Sequence, residues 1–157
     1  MHSQHLEQIF GISHRALSLN VDGVSDEEAL AIPNCGASSI NWVVGHILEA
    51  RHTLAEYLGE SPPWDPQLRS RYARGSRPEP DATRARPLST MLAELAALQT
   101  RLLDRLREMS DKDLAASVPG EEGDLGRQLA FRAFHEAYHV GQLGVLRRQL
   151  GKPGAIA

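Results

Sequence analysis

The chain has 157 residues, 41% of them hydrophobic and 24% charged, with a net charge of -3; these are the proportions of one globular domain, not of a disordered or fibrous chain. With 17 Lys and Arg against 20 Asp and Glu, it lacks the surplus of cations that displaces counterions from phosphates, which excludes nucleic acid as a partner. A single cysteine, Cys35, excludes an internal disulfide framework and suits a reducing compartment. The first residues show no basic start followed by an apolar run, and no apolar stretch reaches the roughly 18 residues of a membrane span. The expectation is a cytoplasmic protein with no membrane partner.

From residue 4 to 20, Leu6, Ile9, Phe10, Ile12, Ala16, Leu17 and Leu19 recur at steps of three and four, the stripe of a first helix. Ser25 with Asp26, Glu27 and Glu28 starts a short turn that Pro33 stops. Ser38 or Ser39 caps a second helix over 39–58, carried by Ile40, Val43, Val44, Ile47, Leu48, Leu54 and Tyr57 and closed by Gly59. Residues 59–87 hold six of the nine prolines and read as a long connection. Its Arg69, Arg71, Arg74, Arg77, Arg84 and Arg86 make either an anion-receiving lid or, as charge runs usually do, a solvated surface. A third helix covers 89–109, with Leu92, Leu95, Leu98, Leu102 and Leu106 on its apolar side, and the run from Ser110 to Asp113 ends it. Asp124 caps the last helix, over 124–150, whose apolar side includes Leu125, Leu129, Phe134, Leu143 and Leu146; Gly151 and Pro153 follow. No segment alternates like a strand. An all-α four-helix bundle follows as one domain over 1–157, with a second-to-third connection long enough to cross over.

Of seven histidines, His135 and His139 are spaced like ligands on one helix. Four residues advance about 400° and about 6 Å, so the two imidazoles project from nearly the same face and can share one ion. Imidazole suits zinc, nickel, copper or iron. The run His135-Glu136-Ala137-Tyr138-His139 also matches the zinc-peptidase pattern with Glu136 as base. That pattern takes its third ligand downstream, where residues 140–157 offer no His, Asp or Glu. Glu136, about 100° around the helix from His135, is read instead as flanking the site or pairing with another helix, a structural role.

The third ligand is therefore sought upstream. His46 sits mid-helix among apolar neighbours and is the candidate. His52 is roughly 240° further round that helix and is expected at the surface; His2, His5 and His14 are read as structural or solvated. Gly45 gives up about 1 kcal/mol of helix propensity, a sign that something packs closely there. Gln142, on the ligand face, can orient a ligand from behind. Cys35 lies about 12 Å short of His46 along the helix axis and is read as a small apolar residue, not a ligand. Three ligands leave a coordination position open, the composition of a catalytic zinc site, where water can be activated or a sulfur bound as thiolate.

Taken together, Ser39-Ile40-Asn41-Trp42, Gly45-His46, the run from His135 through His139 to Val140-Gly141-Gln142-Leu143, and Leu146-Arg147-Arg148 with Gly151-Lys152-Pro153-Gly154 resemble the DinB-like superfamily, over nearly the whole chain. The resemblance implies an up-up-down-down bundle, frequent homodimers, and one divalent metal, with zinc or nickel the first candidates, on His46, His135 and His139. Because the family includes S-transferases that use low-molecular-weight thiols, the resemblance also implies a metal-dependent thiol S-transferase acting on a small molecule. A metal-dependent hydrolase and a non-catalytic metal-binding module remain as alternatives.

Overall fold

Helix-forming stripes, each with its own start and stop signals, set the four long elements. The structure, a computed structural model, describes residues 2–33, 38–61 and 63–156. In chain order these are α1 (Ser3–Val21), a 3-10 turn (Glu28–Leu30), α2 (Ile40–Tyr57), α3 (Pro66–Tyr72), α4 (Leu88–Glu108), α5 (Asp111–Leu114) and α6 (Leu125–Gln149). Ser39 caps α2 by accepting from Trp42 N at 3.2 Å, and Asp124 caps α6 by accepting from Arg127 N at 2.8 Å. Gly59 and Gly151, just past the ends of α2 and α6, have φ of 82° and 76°, left-handed values that glycine takes without strain. The expectation about Cys35 falls outside the described residues.

α1 packs against α4 and α6, and α2 against the same two helices. Ser3 Oγ donates to Met109 O, so α1 and α4 are antiparallel, whereas Asn20 Nδ2 donates to Val140 O and Arg147 reaches Asn20 O, so α1 and α6 run together. Asn41 meets Arg86 at one end and Arg51 meets Gln99 in the middle, which makes α2 and α4 parallel. Around the bundle the order α1, α6, α2, α4 therefore reads up, up, down, down, while along the chain the direction goes up, down, down, up. Parallel neighbours cannot be joined by a tight turn, and this is why residues 58–87 must travel the length of the bundle.

One core section is built from Leu17, Val43, Val44, Ile47, Leu88, Met91, Leu95 and Leu143, the other from Leu6, Phe10, Leu54, Leu102, Leu106 and Leu129. Most of α2 is buried around its whole circumference. Three sides face α4, α6 and the returning connection, in which α3 and Trp64 lie against it. Two expectations need correction here. His52 is not a surface residue; it is fully buried, its ring 4.9 Å from that of Trp64. Phe134 and Ile12, read as parts of apolar stripes, are largely exposed.

Candidate metal centre

α2 and α6 are antiparallel, and their crossing brings His46 opposite His135 and His139. The three side chains form a cluster that can hold one metal ion, with ligand atoms all within 4.8 Å of one another. Nε2 of His135 lies 3.2 Å from Nε2 of His46 and 3.2 Å from Nε2 of His139. Two nitrogens that far apart, each about 2.0–2.1 Å from an ion, subtend about 100° at it, between octahedral and tetrahedral values.

The opposite edges of two rings explain the convergence. His46 Nδ1 lies 2.6 Å from the Tyr72 carbonyl, and His139 Nδ1 lies 2.8 Å from Gln142 Oε1. Both partners are acceptors, so each Nδ1 carries the proton and each Nε2 presents a lone pair to the cluster. Lone pairs aimed at one another repel unless a cation sits among them, so the donor set fits a divalent ion with affinity for imidazole. Burial, and then the neighbouring His139 and His46, push the His135 imidazole down to about 4; burial likewise lowers His139. Both are thus neutral, ligand-ready rings at physiological pH.

The surroundings are aromatic. Trp42 stacks on His46 at 4.8 Å with planes 12° apart, and its Nε1 donates to Ser76 Oγ at 2.8 Å. Phe131 lies over His135 at 6.2 Å, and Tyr138 stands edge-on to His139 at 5.2 Å. His135 is the least buried of the three ligand candidates, so the cluster is most accessible on the side that Phe131 and Tyr138 flank.

Glu136 turns away from this cluster. Its carboxylate accepts from Arg51 Nε at 2.5 Å and Arg51 Nη2 at 2.9 Å inside the bundle, which removes it from the base position that a zinc peptidase requires. The arginines of the connection are largely engaged as well. Arg69 pairs with Glu49 and Glu56, Arg84 with Glu79, Arg86 with Glu94, and Arg71 donates to the Arg84 carbonyl. The Arg69 and Arg86 pairs tie the connection to α2 and α4, while the Arg84 and Arg71 contacts lie within it. Sequence reasoning missed the Tyr72 carbonyl, signalled only by Gly45 against which Tyr72 packs, and the Trp42 ring, signalled by its place four residues before His46 on one helix face.

A four-helix protein with a three-histidine cluster between its second and last long helices is the class so defined. The family model of the DinB superfamily matches residues 12–143, and the chain belongs to that superfamily. Two solved structures share the fold. A conserved protein from Enterococcus faecalis aligns with a TM-score of 0.73 at 18% identity, covering 97% of this chain and 99% of its own. YfiT from Bacillus subtilis, described as a probable metal-dependent hydrolase with an unusual four-helix bundle topology, aligns with a TM-score of 0.68 at 20% identity, covering 96% and 89%. No curated protein matches the chain.

Proposed function

We propose that His46, His135 and His139 are the ligands of one divalent metal, zinc or nickel, in an enzyme that hydrolyses a small organic substrate. The observation that carries this reading is the convergence of three Nε2 atoms while two of the Nδ1 atoms are tied to acceptors behind them. When bound, such an ion acts as a Lewis acid toward a substrate oxygen and lowers the pKa of water. The protein's own part is to keep His135 and His139 neutral, to orient His46 and His139 through their Nδ1 atoms, and to offer an apolar surface in Phe131 and Tyr138 beside the accessible edge of His135. The likeness to YfiT supports hydrolysis over the thiol S-transfer that the sequence resemblance first implied, and the carboxylate pairs of Arg69, Arg84 and Arg86 weaken the case for an anion-receiving mouth.

The deciding experiment compares wild type and His139→Ala, each loaded with zinc or nickel, on small amide and ester substrates and on an electrophile with glutathione, bacillithiol or mycothiol. Cleavage of the first group that depends on His139 supports the hydrolase. Turnover only with a thiol makes the S-transferase the better reading, and metal binding without either leaves a non-catalytic module. Among the described residues no helix is long and apolar enough to cross a membrane. The exposed apolar residues Ile12 on α1 and Phe134 and Val145 on α6 make the surface through which the chain pairs as a homodimer.

A further inference from the structure

The residue that orients His46 comes from the long connection, not from the helices that carry the histidines. α3 ends at Tyr72, and the last carbonyls of a helix have no partner within it. Two of them are taken from outside: Arg71 O accepts from Ser76 Oγ at 2.7 Å, and Tyr72 O lies 2.6 Å from His46 Nδ1. Tyr72 itself is fixed on every side. Its hydroxyl donates to Asn41 Oδ1 at 3.2 Å and accepts from Arg86 N at 3.2 Å, while Asn41 Nδ2 donates to Arg86 O at 2.7 Å. Its ring lies 5.4 Å from that of Trp64 and packs closely against α2 at Gly45. A Cβ on Gly45 would lie 2.1 Å from Tyr72 Cδ1 and 2.3 Å from Cε1, so the ring would have to move. Glycine in mid-helix costs about 1 kcal/mol relative to alanine, and here the cost is met by the close seat it gives Tyr72.

We propose that the Tyr72 carbonyl, seated by the contact of its ring with Gly45, is the positioning group for His46. It holds the imidazole as the Nδ1–H tautomer with Nε2 turned to His135 and His139. The connection between α2 and α4 thereby governs the affinity of a metal site to which it contributes no ligand. Partners of this kind fix the tautomer and orientation of a ligating histidine and raise its basicity, and their loss typically costs about 10–100-fold in metal affinity. The proposal rests on the reading that His46 is a ligand.

Gly45→Ala is the informative change, because it displaces the Tyr72 ring while leaving every ligand in place. Gly11→Ala on α1, where an added Cβ meets nothing within 4 Å, is its control. Zinc affinity is measured by competition with a chromogenic chelator, coordination geometry by the visible absorption of the cobalt(II) form, and helicity of the apo proteins by circular dichroism. Gly45→Ala is expected to bind zinc about 10–100-fold more weakly and to shift the cobalt bands, with Gly11→Ala matching wild type in both. Long-range nitrogen–proton correlation spectra of the apo wild type should show His46 protonated on Nδ1, a readout that needs no variant to fold. If His46→Ala binds zinc as tightly as wild type, the ligand reading falls and the proposal with it. If His46→Ala loses zinc while Gly45→Ala keeps wild-type affinity and cobalt spectrum, the positioning role alone is overturned. An apo His46 protonated on Nε2 overturns it as well.

Discussion

Arg51 on α2 and Glu136 on α6 form a two-point ion pair at the centre of the bundle, with side chains 3% and 5% exposed. Arg51 Nη2 also donates to Gln99 Oε1 on α4 at 2.7 Å, and its guanidinium lies 4.5 Å over the ring of Phe10 on α1. All four long helices meet there. Removing one partner strands a buried charge, so Arg51→Met or Glu136→Leu alone should cost about 3–5 kcal/mol in urea unfolding, and the double variant should recover most of it. Additive losses would show that the two charges do not act as a pair.

His46→Ala, His135→Ala and His139→Ala should each lose stoichiometric metal, whereas His52→Leu should keep it. A ligand that binds only the folded state adds about 4 kcal/mol at a thousandfold excess over its Kd. Chelator should therefore lower the Tm of wild type and His52→Leu and leave the three alanine variants unchanged. Plasma emission analysis of untagged protein reads the metal; equal content in wild type and His135→Ala would remove the triad.

The four long helices were legible to within a residue at nearly every end, because each carries an apolar stripe and its own cap or stop. α3 was not, since the density of prolines hid the one at Pro66, which sits in the first turn behind the capping Asp65. The capping box of α5, Ser110 with Asp113, was read only as the end of its predecessor. His52 was misplaced for a different reason. Periodicity gives a helix one wet side, and the connection that covers that side of α2 lies at a distance in sequence that no window of the helix senses. The two histidines that α6 brings to the cluster were legible as a pair and His46 as a candidate, but the group that meets His46 Nδ1 is a backbone carbonyl, which has no residue signature.

Burial holds the His52 imidazole down to about 4, with Arg69 adding to it and Glu94, Glu49 and Glu56 opposing; neither ring nitrogen has a hydrogen-bond partner. An unfolded histidine titrates near 6.5, so between about 6.5 and 4 the unfolded chain binds the extra proton, and stability is lost as the pH falls through that range. His14, His135 and His139 are lowered in the same direction by burial. Apo protein should be most stable above about pH 6.5, and His52→Leu should flatten part of the acid limb without loss of stability at neutral pH, as nothing is left unpaired. Thermal melts at half-unit pH steps check this; a limb as steep as wild type would clear His52 of any share.

Phe134→Glu or Ile12→Glu places a charge on the exposed α1–α6 face and should convert a dimer to monomer in light scattering while leaving metal content intact. A wild type that already runs as a monomer at micromolar concentration would dispose of that interface.

The parallel course of α2 and α4 has a kinetic consequence. His46 and His135 are 89 residues apart in the chain, and no hairpin brings them together, because the connection must first cross the bundle and α6 must then dock on α2. Contacts of such long sequence separation form late and slow the search for the native state relative to a bundle of simple hairpins. An ion that needs both helices has nothing to grip until α6 has docked on α2. Zinc should therefore leave the refolding rate nearly unchanged and slow unfolding, so that in the cell the metal acts on how long the folded molecule survives and not on how quickly it is made.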